Sequence, residues 1–407
     1  MTKKPIITYI GVTLVIGIII LNGINIFRKQ NTGNANITPG SLVHWGNKKT
    51  SEVLWLSDVK KLSAGHDHML VLTGDGSAYA LGSNTFGQLG NRGADYQDEP
   101  EKLSFIDNAT DISASGHHSL AVDREGNVWS WGLNLSSQLG DGKNEIKATP
   151  QKLAGLPKIK NVSAGYRFSV ALQEDGRVIA WGASCDATKT MDTQSVINQF
   201  ASTLMQSGGY GDPGSLSSQA YQFADDCNRE KSTGVNTKTP KVIEGLSGIK
   251  KIAAGFGHTM ALKEDGTIWM LGCNKYGQLG SDGTENALTA QQRKELSNIT
   301  DISAGYRHSL ALTKDGEVWG WGLNGTDQFT VPTKIPSLSN VISIAAGYDY
   351  SLALTKNGEV WGWGANATHQ FATTDIKNSK TPIKLDMIDN ANMIAAGGNH
   401  AIATIRE

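Results

Sequence analysis

The sequence predicts an all-β protein, a closed seven-bladed β-propeller preceded by one transmembrane helix. Two short signatures recur in alternation, seven times each, along most of the chain. A turn-forming dipeptide separates them in the first six repeats, and an uncharged apolar segment lies near the N-terminus. Units of about 40 to 50 residues built from short strands are typical of propeller blades.

The first signature has the form A-G-x-x-H-S-L-A-L, and its fifth position marks each copy. The marked positions are His68, His118, Phe168, His258, His308, Tyr350 and His400. They follow one another at intervals of about fifty residues, with one large insertion before His258 and one deletion before Tyr350. This interval predicts one blade per repeat.

The second signature, W-G-x-N, begins at seven positions. They are Trp45, Leu81, Trp131, Trp181, Leu271, Trp321 and Trp363. The chain therefore starts its repeats with a half-repeat of the second signature and ends them with a half-repeat of the first. Neither half can bury its apolar face alone, whereas together they complete a seventh blade and remove the exposed edge.

A dipeptide ending in glycine lies between the two signatures in six repeats. These are Asp75-Gly76, Glu125-Gly126, Asp175-Gly176, Asp265-Gly266, Asp315-Gly316 and Asn357-Gly358. Such a dipeptide between two apolar runs is a strong hairpin signal, because glycine adopts the positive φ of a tight turn. Each repeat is therefore expected to contain an antiparallel hairpin.

The segment from Ile6 to Phe27 contains no charged residue, and as a helix it would span about 33 Å. We interpret 1–27 as a short cytoplasmic tail with a transmembrane signal-anchor helix, 28–40 as a polar linker and 41–407 as the propeller. A cleaved signal peptide is the alternative, although its apolar region would be shorter. The flanking lysines and arginine are nearly balanced. Because few residues precede the helix, we expect the propeller outside the cytoplasm.

The third repeat carries an insert, predicted over 183–238, where other repeats have G-Q-L-G. Within it Val196, Phe200 and Leu204 follow a helical spacing, and 216–224 is a second helical candidate. A long loop with its own structure is more often functional than decorative, and both interpretations stay open.

The chain has three cysteines, Cys185, Cys227 and Cys273, at spacings that do not fit a zinc site. In an oxidising compartment we expect a disulfide between Cys185 and Cys227, with Cys273 unpaired and inert. Three reduced thiols are an equally good interpretation.

The repeated histidines and tryptophans recur once per blade, which predicts structural roles inside each blade and between blades. Locally dense histidines occur only at His66 with His68 and at His117 with His118, and no third ligand is placed beside them. We therefore predict no metal site, no cofactor and no enzyme activity, since no catalytic or nucleotide-binding motif is present.

The two positions inside A-G-x-x-H vary from blade to blade and should form a ring around one mouth of the propeller. Aromatic residues and arginine are enriched at interface hot spots, so this ring is the predicted partner-binding site. The alternative, weighed evenly, is that the aromatics only cover the blade ends. The predicted residues are His66, Asp67, His117, Tyr166, Arg167, Phe256, Tyr306, Arg307, Tyr348, Asp349 and Asn399.

These signatures resemble the regulator of chromosome condensation repeat family, whose units read A-G-x-x-H-S-L-A-L, D-G-x-V-W-x-W-G-x-N and G-Q-L-G. The resemblance covers 41–407 without the insert and implies a seven-bladed propeller whose N- and C-terminal strands share a blade. Its founding member is a nuclear exchange factor for a small GTPase, and secreted bacterial members inhibit β-lactamases. The departures from the repeat keep side-chain bulk in most cases: Ser115, Phe168, Tyr350, Leu81 and Leu271.

Together these observations favour a membrane-tethered extracytoplasmic scaffold that binds a protein partner through one propeller face. Its formal net charge of −1 does not favour nucleic-acid binding. The alternatives are a nucleotide-exchange or signalling regulator on the cytoplasmic side, and a protein acting on cell-wall or glycan polymers.

Overall fold

The computed structural model describes residues 40–46, 49–54, 56–93, 95–183, 236–371 and 376–406. In these ranges the chain forms 28 β-strands, which build seven four-stranded antiparallel sheets. The all-β seven-bladed propeller predicted from the sequence is thus confirmed. The predicted transmembrane helix, the linker before residue 40 and the predicted insert helices lie outside the described residues. Within the described ranges, no helix is long and apolar enough to cross a membrane.

Strands are numbered in chain order, and four consecutive strands form each of the first six blades. Blades 1 and 2 contain β3 (Val59–Ala64), β4 (His68–Thr73), β5 (Ala78–Ser83), β6 (Tyr96–Lys102), β7 (Ala109–Ser115), β8 (His118–Asp123), β9 (Val128–Gly132) and β10 (Lys147–Lys152). Blades 3 and 4 contain β11 (Ile159–Ala164), β12 (Phe168–Gln173), β13 (Val178–Ala183), β14 (Asn236–Val242), β15 (Ile249–Ala254), β16 (His258–Lys263), β17 (Ile268–Gly272) and β18 (Ala287–Arg293). Blades 5 and 6 contain β19 (Ile299–Ala304), β20 (His308–Thr313), β21 (Val318–Asn324), β22 (Asp327–Lys334), β23 (Val341–Ala346), β24 (Tyr350–Thr355), β25 (Val360–Ala365) and β26 (Asn378–Lys384).

The seventh blade is built from both ends of the propeller, as the half-repeats predict. Its strand order is β2 (Lys49–Leu54), β1 (Leu42–Gly46), β28 (His400–Ile405) and β27 (Ala391–Ala396). Five consecutive residue pairs join β1 to β28, from Leu42 with Thr404 to Gly46 with His400. The indole of Trp45 is fully buried and donates to the backbone oxygen of Gln370 in blade 6 (2.8 Å). The closing blade is therefore packed and bonded like the others.

The predicted glycine turns form the hairpins between the second and third strands of the blades. Gly76 has φ 85° and its N–H donates to the Thr73 oxygen (3.0 Å), while the Thr73 N–H donates to the Ser77 oxygen (3.0 Å). All these turns lie at the end of the blades opposite the A-G-x-x-H loops, because each one follows a strand that starts at the histidine position.

Four of the five repeated histidines bond adjacent blades to each other, which confirms their structural interpretation. His68 Nε2 lies 2.9 Å from Ser119 Oγ of the next blade, and that hydroxyl donates to the Gln88 backbone oxygen (2.8 Å). Since the serine proton is used there, the imidazole donates from Nε2. Burial lowers the pKa of His68 well below its usual value, so the ring is neutral. The indole of Trp131 donates to the same Gln88 oxygen (2.8 Å). The same histidine-to-serine bond joins His118 to Ser169, His258 to Ser309 and His308 to Ser351.

Three blades have no serine at the receiving position, and in the preceding blade the histidine is replaced in two of these cases and kept as His400 opposite Met69 in the third. Phe168 faces a blade that carries Thr259, and Tyr350 faces a blade that carries Ala401. Both aromatic side chains are fully buried, and the Tyr350 hydroxyl donates to the His400 backbone oxygen (2.5 Å). These departures from the repeat thus follow the neighbouring blade.

The glycine of A-G-x-x-H leaves space for the histidine ring, which gives a first testable prediction. A Cβ added to Gly305 would lie 2.4 Å from His308 Cε1 and 2.7 Å from the Gly347 backbone oxygen. We expect Gly305→Ala to lower the free energy of unfolding by about 1–3 kcal/mol through overpacking, measured by urea denaturation. At Gly283 an added Cβ meets only one atom, at 3.9 Å, so Gly283→Ala should change stability little. Equal stability of the two variants would contradict this account.

Cys273 is disulfide-bonded, so the expectation of an unpaired Cys273 is wrong. Cys273 directly follows Gly272, the last residue of β17, and is 1% exposed. The predicted partners Cys185 and Cys227 lie outside the described residues. The spacing of cysteines along the sequence did not predict the disulfide bond of Cys273, because a disulfide requires two Cα atoms that are close in space.

Candidate functional site

The seven A-G-x-x-H loops gather at one end of the central channel, which we call the mouth. The innermost strands of the seven blades line this channel with small residues such as Ser63, Ala114 and Ala254. The channel has a volume of about 240 Å³, and the first variable residues of the loops border it at the mouth. The predicted ring is therefore brought together in space.

Backbone hydrogen bonds join the loops of neighbouring blades at six of the seven blade boundaries around the mouth. The Tyr166 N–H donates to the Gly255 oxygen (3.0 Å), and the Tyr306 N–H donates to the Gly347 oxygen (3.1 Å). Equivalent bonds start at His66, Phe256, Tyr348 and Gly398. The backbone alone therefore holds these loops to one another, and we call this hydrogen-bonded set of loops the rigid frame of the mouth.

Six ring side chains form a continuous aromatic circle across the mouth. Successive centroid distances are 5.1 Å (His66–His117), 6.3 Å (His117–Tyr166), 5.0 Å (Tyr166–Phe256), 4.1 Å (Phe256–Tyr306), 3.7 Å (Tyr306–Tyr348) and 5.8 Å (Tyr348–His66). Offset and edge-on contacts at such distances are favourable for aromatic pairs. The circle borders the channel at the mouth.

Much of the aromatic circle is buried, and the exposed part of the mouth is one-sided. Tyr166, Phe256 and Tyr306 are 8%, 4% and 5% exposed, and pack as one apolar cluster. Six ring residues are partly exposed and belong to blades 1, 5, 6 and 7: His66, Asp67, Arg307, Tyr348, Asp349 and Asn399. The buried rings cover the ends of the blades, as one interpretation of the ring predicts. The six partly exposed residues, which we call the exposed sector, face solvent and are available to a partner, as the other interpretation requires.

The two arginines of the ring lie over aromatic faces. Arg167 is 2% exposed with its guanidinium 5.7 Å from the Phe256 centroid, and Arg307 lies 4.6 Å from the Tyr276 centroid and 4.9 Å from that of Tyr306. Burial raises the pKa of Asp349, and the charge of Arg307 opposes that rise. Arg307 and Asp349 therefore give the exposed sector neighbouring charges of both signs.

The structure pairs the histidines of the mouth differently from the sequence analysis. His68 and His118 point into blade interfaces, whereas His66 and His117 from neighbouring blades face each other beside Asp67. Ser115 explains this: β7 runs one residue further than its counterparts, and Gly116 takes φ 47° and carries no side chain into the circle. His117 fills that gap. Only a three-dimensional register could show this juxtaposition.

The chain places the insert and its N-terminal entry on opposite faces of the propeller. Ala183 ends β13 one residue after Gly182, which pairs with Phe168 at the mouth, and Asn236 starts β14 opposite Ala183. The insert therefore leaves and rejoins blade 3 on the mouth face. By contrast, Leu42 pairs with Thr404 at the far end of β28 from His400. The chain thus enters its first strand on the face opposite the mouth.

A closed seven-bladed ring with one variable face defines a β-propeller of the interaction-scaffold class. The chain belongs to the regulator of chromosome condensation (RCC1) repeat family, whose two repeat profiles together match more than half of it. One profile matches 59–88, 109–138, 159–186, 249–278, 299–328 and 341–370. The other matches 75–122, 125–172, 265–312 and 357–404.

Solved structures share this fold at low sequence identity. Human WBSCR16 is 18% identical with a TM-score of 0.70, covering 90% of this chain and 99% of that one. Prp20p from Saccharomyces cerevisiae, described with its binding to Gsp1p and histones, is 21% identical with a TM-score of 0.68, covering 92% and 93%. Yeast RCC1 (Prp20) bound by Kap60 is 19% identical with a TM-score of 0.68, covering 93% and 94%. No curated protein sequence matches the chain.

Proposed function

We propose that this protein is a membrane-tethered extracytoplasmic scaffold that binds a protein partner on its mouth face. The observation that carries the proposal is the one-sided exposed sector of the mouth, where Arg307, Tyr348 and Asp349 stand on a rigid hydrogen-bonded frame. Such a sector offers aromatic and charged groups of the types that dominate interface energetics. Proteins of the same fold bind other proteins, as the descriptions of Prp20p with Gsp1p, histones and Kap60 state.

Two further observations support the extracytoplasmic and tethered parts of the proposal. Cys273 is disulfide-bonded, and disulfides persist in oxidising compartments outside the cytoplasm. The apolar segment 6–27 precedes a chain that enters the propeller opposite the mouth. A tether at that face would leave the mouth directed away from the membrane and accessible to a partner.

The compartment is tested by protease accessibility on intact cells that carry the full-length protein with a C-terminal epitope. We expect added protease to remove the epitope signal without lysis, while a cytoplasmic marker stays intact. Protection until lysis would overturn the extracytoplasmic placement and favour the cytoplasmic exchange-factor alternative. In that case nucleotide release from a small GTPase becomes the decisive assay.

The docking face is tested by proximity labelling with paired variants of the full-length protein. Arg307→Ala removes a cation of the exposed sector, and we expect labelling of the main partner to fall about tenfold or more. Asp265→Ala removes an exposed charge from a hairpin turn at the opposite end and should leave labelling unchanged. An equal loss in both variants, or in neither, would contradict docking at the mouth.

A further inference from the structure

Three side chains from blades 1 and 2 bring possible metal ligands together at the mouth. His66, Asp67 and His117 each offer a nitrogen or a carboxylate oxygen, and these atoms lie within 4.8 Å of one another. His66 Nδ1 lies 2.6 Å from Asp67 Oδ2. The three residues come from adjoining loops of the hydrogen-bonded frame, in which the His66 N–H donates to the Gly116 oxygen (2.9 Å). Their mutual placement is therefore fixed by the fold.

His117 brings a buried ring nitrogen without a hydrogen-bond partner to this group of residues. Its side chain is 9% exposed, and Nδ1 is buried without a hydrogen-bond partner. A buried polar atom that lacks a partner is costly, and a bound ion is one way to satisfy it. A cation held between His117 and Asp67 would satisfy it.

The three residues combine two kinds of metal ligand. His66 and His117 offer imidazole nitrogens, and Asp67 offers carboxylate oxygens.

We propose that His66, Asp67 and His117 bind a Zn²⁺-class divalent transition-metal ion at the mouth, with one coordination position open to solvent. Imidazole and carboxylate ligands suit this class of metal, and sites with three protein ligands keep a position for water or another group. The side chains of His66 and Asp67 are 19% and 35% exposed, which gives the ion a path of entry.

The neighbouring blades supply a matched comparison. Asp349 occupies in blade 6 the loop position that Asp67 occupies in blade 1, and it is also partly exposed. Its nearest charged neighbour in the ring is Arg307, which repels a cation. Asp349→Asn therefore removes a mouth carboxylate without touching the proposed site.

The experiment uses purified full-length protein in detergent, stripped with a chelator and titrated with ZnCl₂ by calorimetry. We expect one Zn²⁺ per chain, and about tenfold or greater weakening in His66→Gln and in Asp67→Asn. Asp349→Asn should bind like the parent protein. Because His66 and Asp67 are partly exposed, we expect both variants to fold, and circular dichroism of each variant checks this.

A second measurement identifies the ligands through Co²⁺, whose visible absorption reports coordination geometry and donor type. We expect bands of a nitrogen and oxygen site that disappear in Asp67→Asn. Intense thiolate charge-transfer bands would place the ion at cysteines and overturn the proposal, as would the absence of saturable binding or unchanged affinity in both site variants. The assay uses the protein alone, so its outcome is independent of the proposed partner binding.

Discussion

Removal of β28 is expected to abolish cooperative folding of the whole propeller. β28 is an inner strand of the closing blade and bonds to both β1 and β27, so its loss leaves two unpaired strand edges. Its residues Ala401, Ala403 and Ile405 belong to an apolar cluster that also contains Trp45 and buried residues of blade 6. We expect a chain ending at Asn399 to show no cooperative urea transition in tryptophan fluorescence and to aggregate.

Two controls separate closure of the ring from a general effect of truncation. A chain ending at Ile405 keeps β28 complete and should unfold nearly as the parent does. Ala403→Asp places a charge at a fully buried position of β28, and should cost about 3 kcal/mol or more. Ile342→Asp makes a similar change at a strand position that is 47% exposed, and should cost much less. A stable chain without β28 would show that the ring does not depend on its closing blade.

Acidification from pH 7 to pH 5 is expected to destabilise the propeller by at least about 4 kcal/mol through two buried histidines. Burial lowers the pKa of His258 to about 4 and that of His308 to about 3, whereas an unfolded histidine has a pKa near 6.5. Between these values the unfolded chain binds more protons than the folded one, so stability is fully present above pH 6.5 and falls as the pH is lowered. Each histidine contributes about 2 kcal/mol over this range.

A variant with one histidine fewer tests the assignment. Phe168 shows that a phenylalanine fits this position of a blade, so His258→Phe should fold, and Ser309 keeps its bond to the Gln278 oxygen. We expect the variant to lose about 2 kcal/mol less than the parent between pH 7 and pH 5, measured by urea denaturation at each pH. An identical pH dependence in both proteins would assign the proton uptake to other groups.

The blade count and the closing blade were predictable because both follow from periodicity along the chain. The last repeat contains His400 but lacks the second signature, so it can form a complete blade only with the half-repeat at Trp45. The register of β1 with β28 confirms this pairing. Likewise, a histidine that recurs at one position of most blades is expected to make the same contact in each. The bond from His68 to Ser119, repeated at three other blade boundaries, is that contact.

The mouth was predictable as a set of residues but not as an arrangement. Periodicity indicates that Tyr166 and Tyr306 lie at equivalent positions, and says nothing of the 5.6 Å between their rings or of their burial. The pairing of His66 with His117 depends on Ser115, a departure that looks minor in the sequence. The bond at Cys273 depends on a distance between chain segments, which spacing does not encode. The role of the exposed sector stays a prediction.

The entry of the chain opposite the mouth has a mechanical consequence. If a partner held the mouth while a force pulled on Gly40, the force would act along the length of β1. Leu42 lies at the end of β1 away from the mouth, and Gly46 lies at the mouth end. Under such shear the five residue pairs between β1 and β28 carry the force together, instead of opening one after another as in a peeled ladder. The closing blade would then resist mechanical unfolding, and the rate of unfolding under force would measure that resistance.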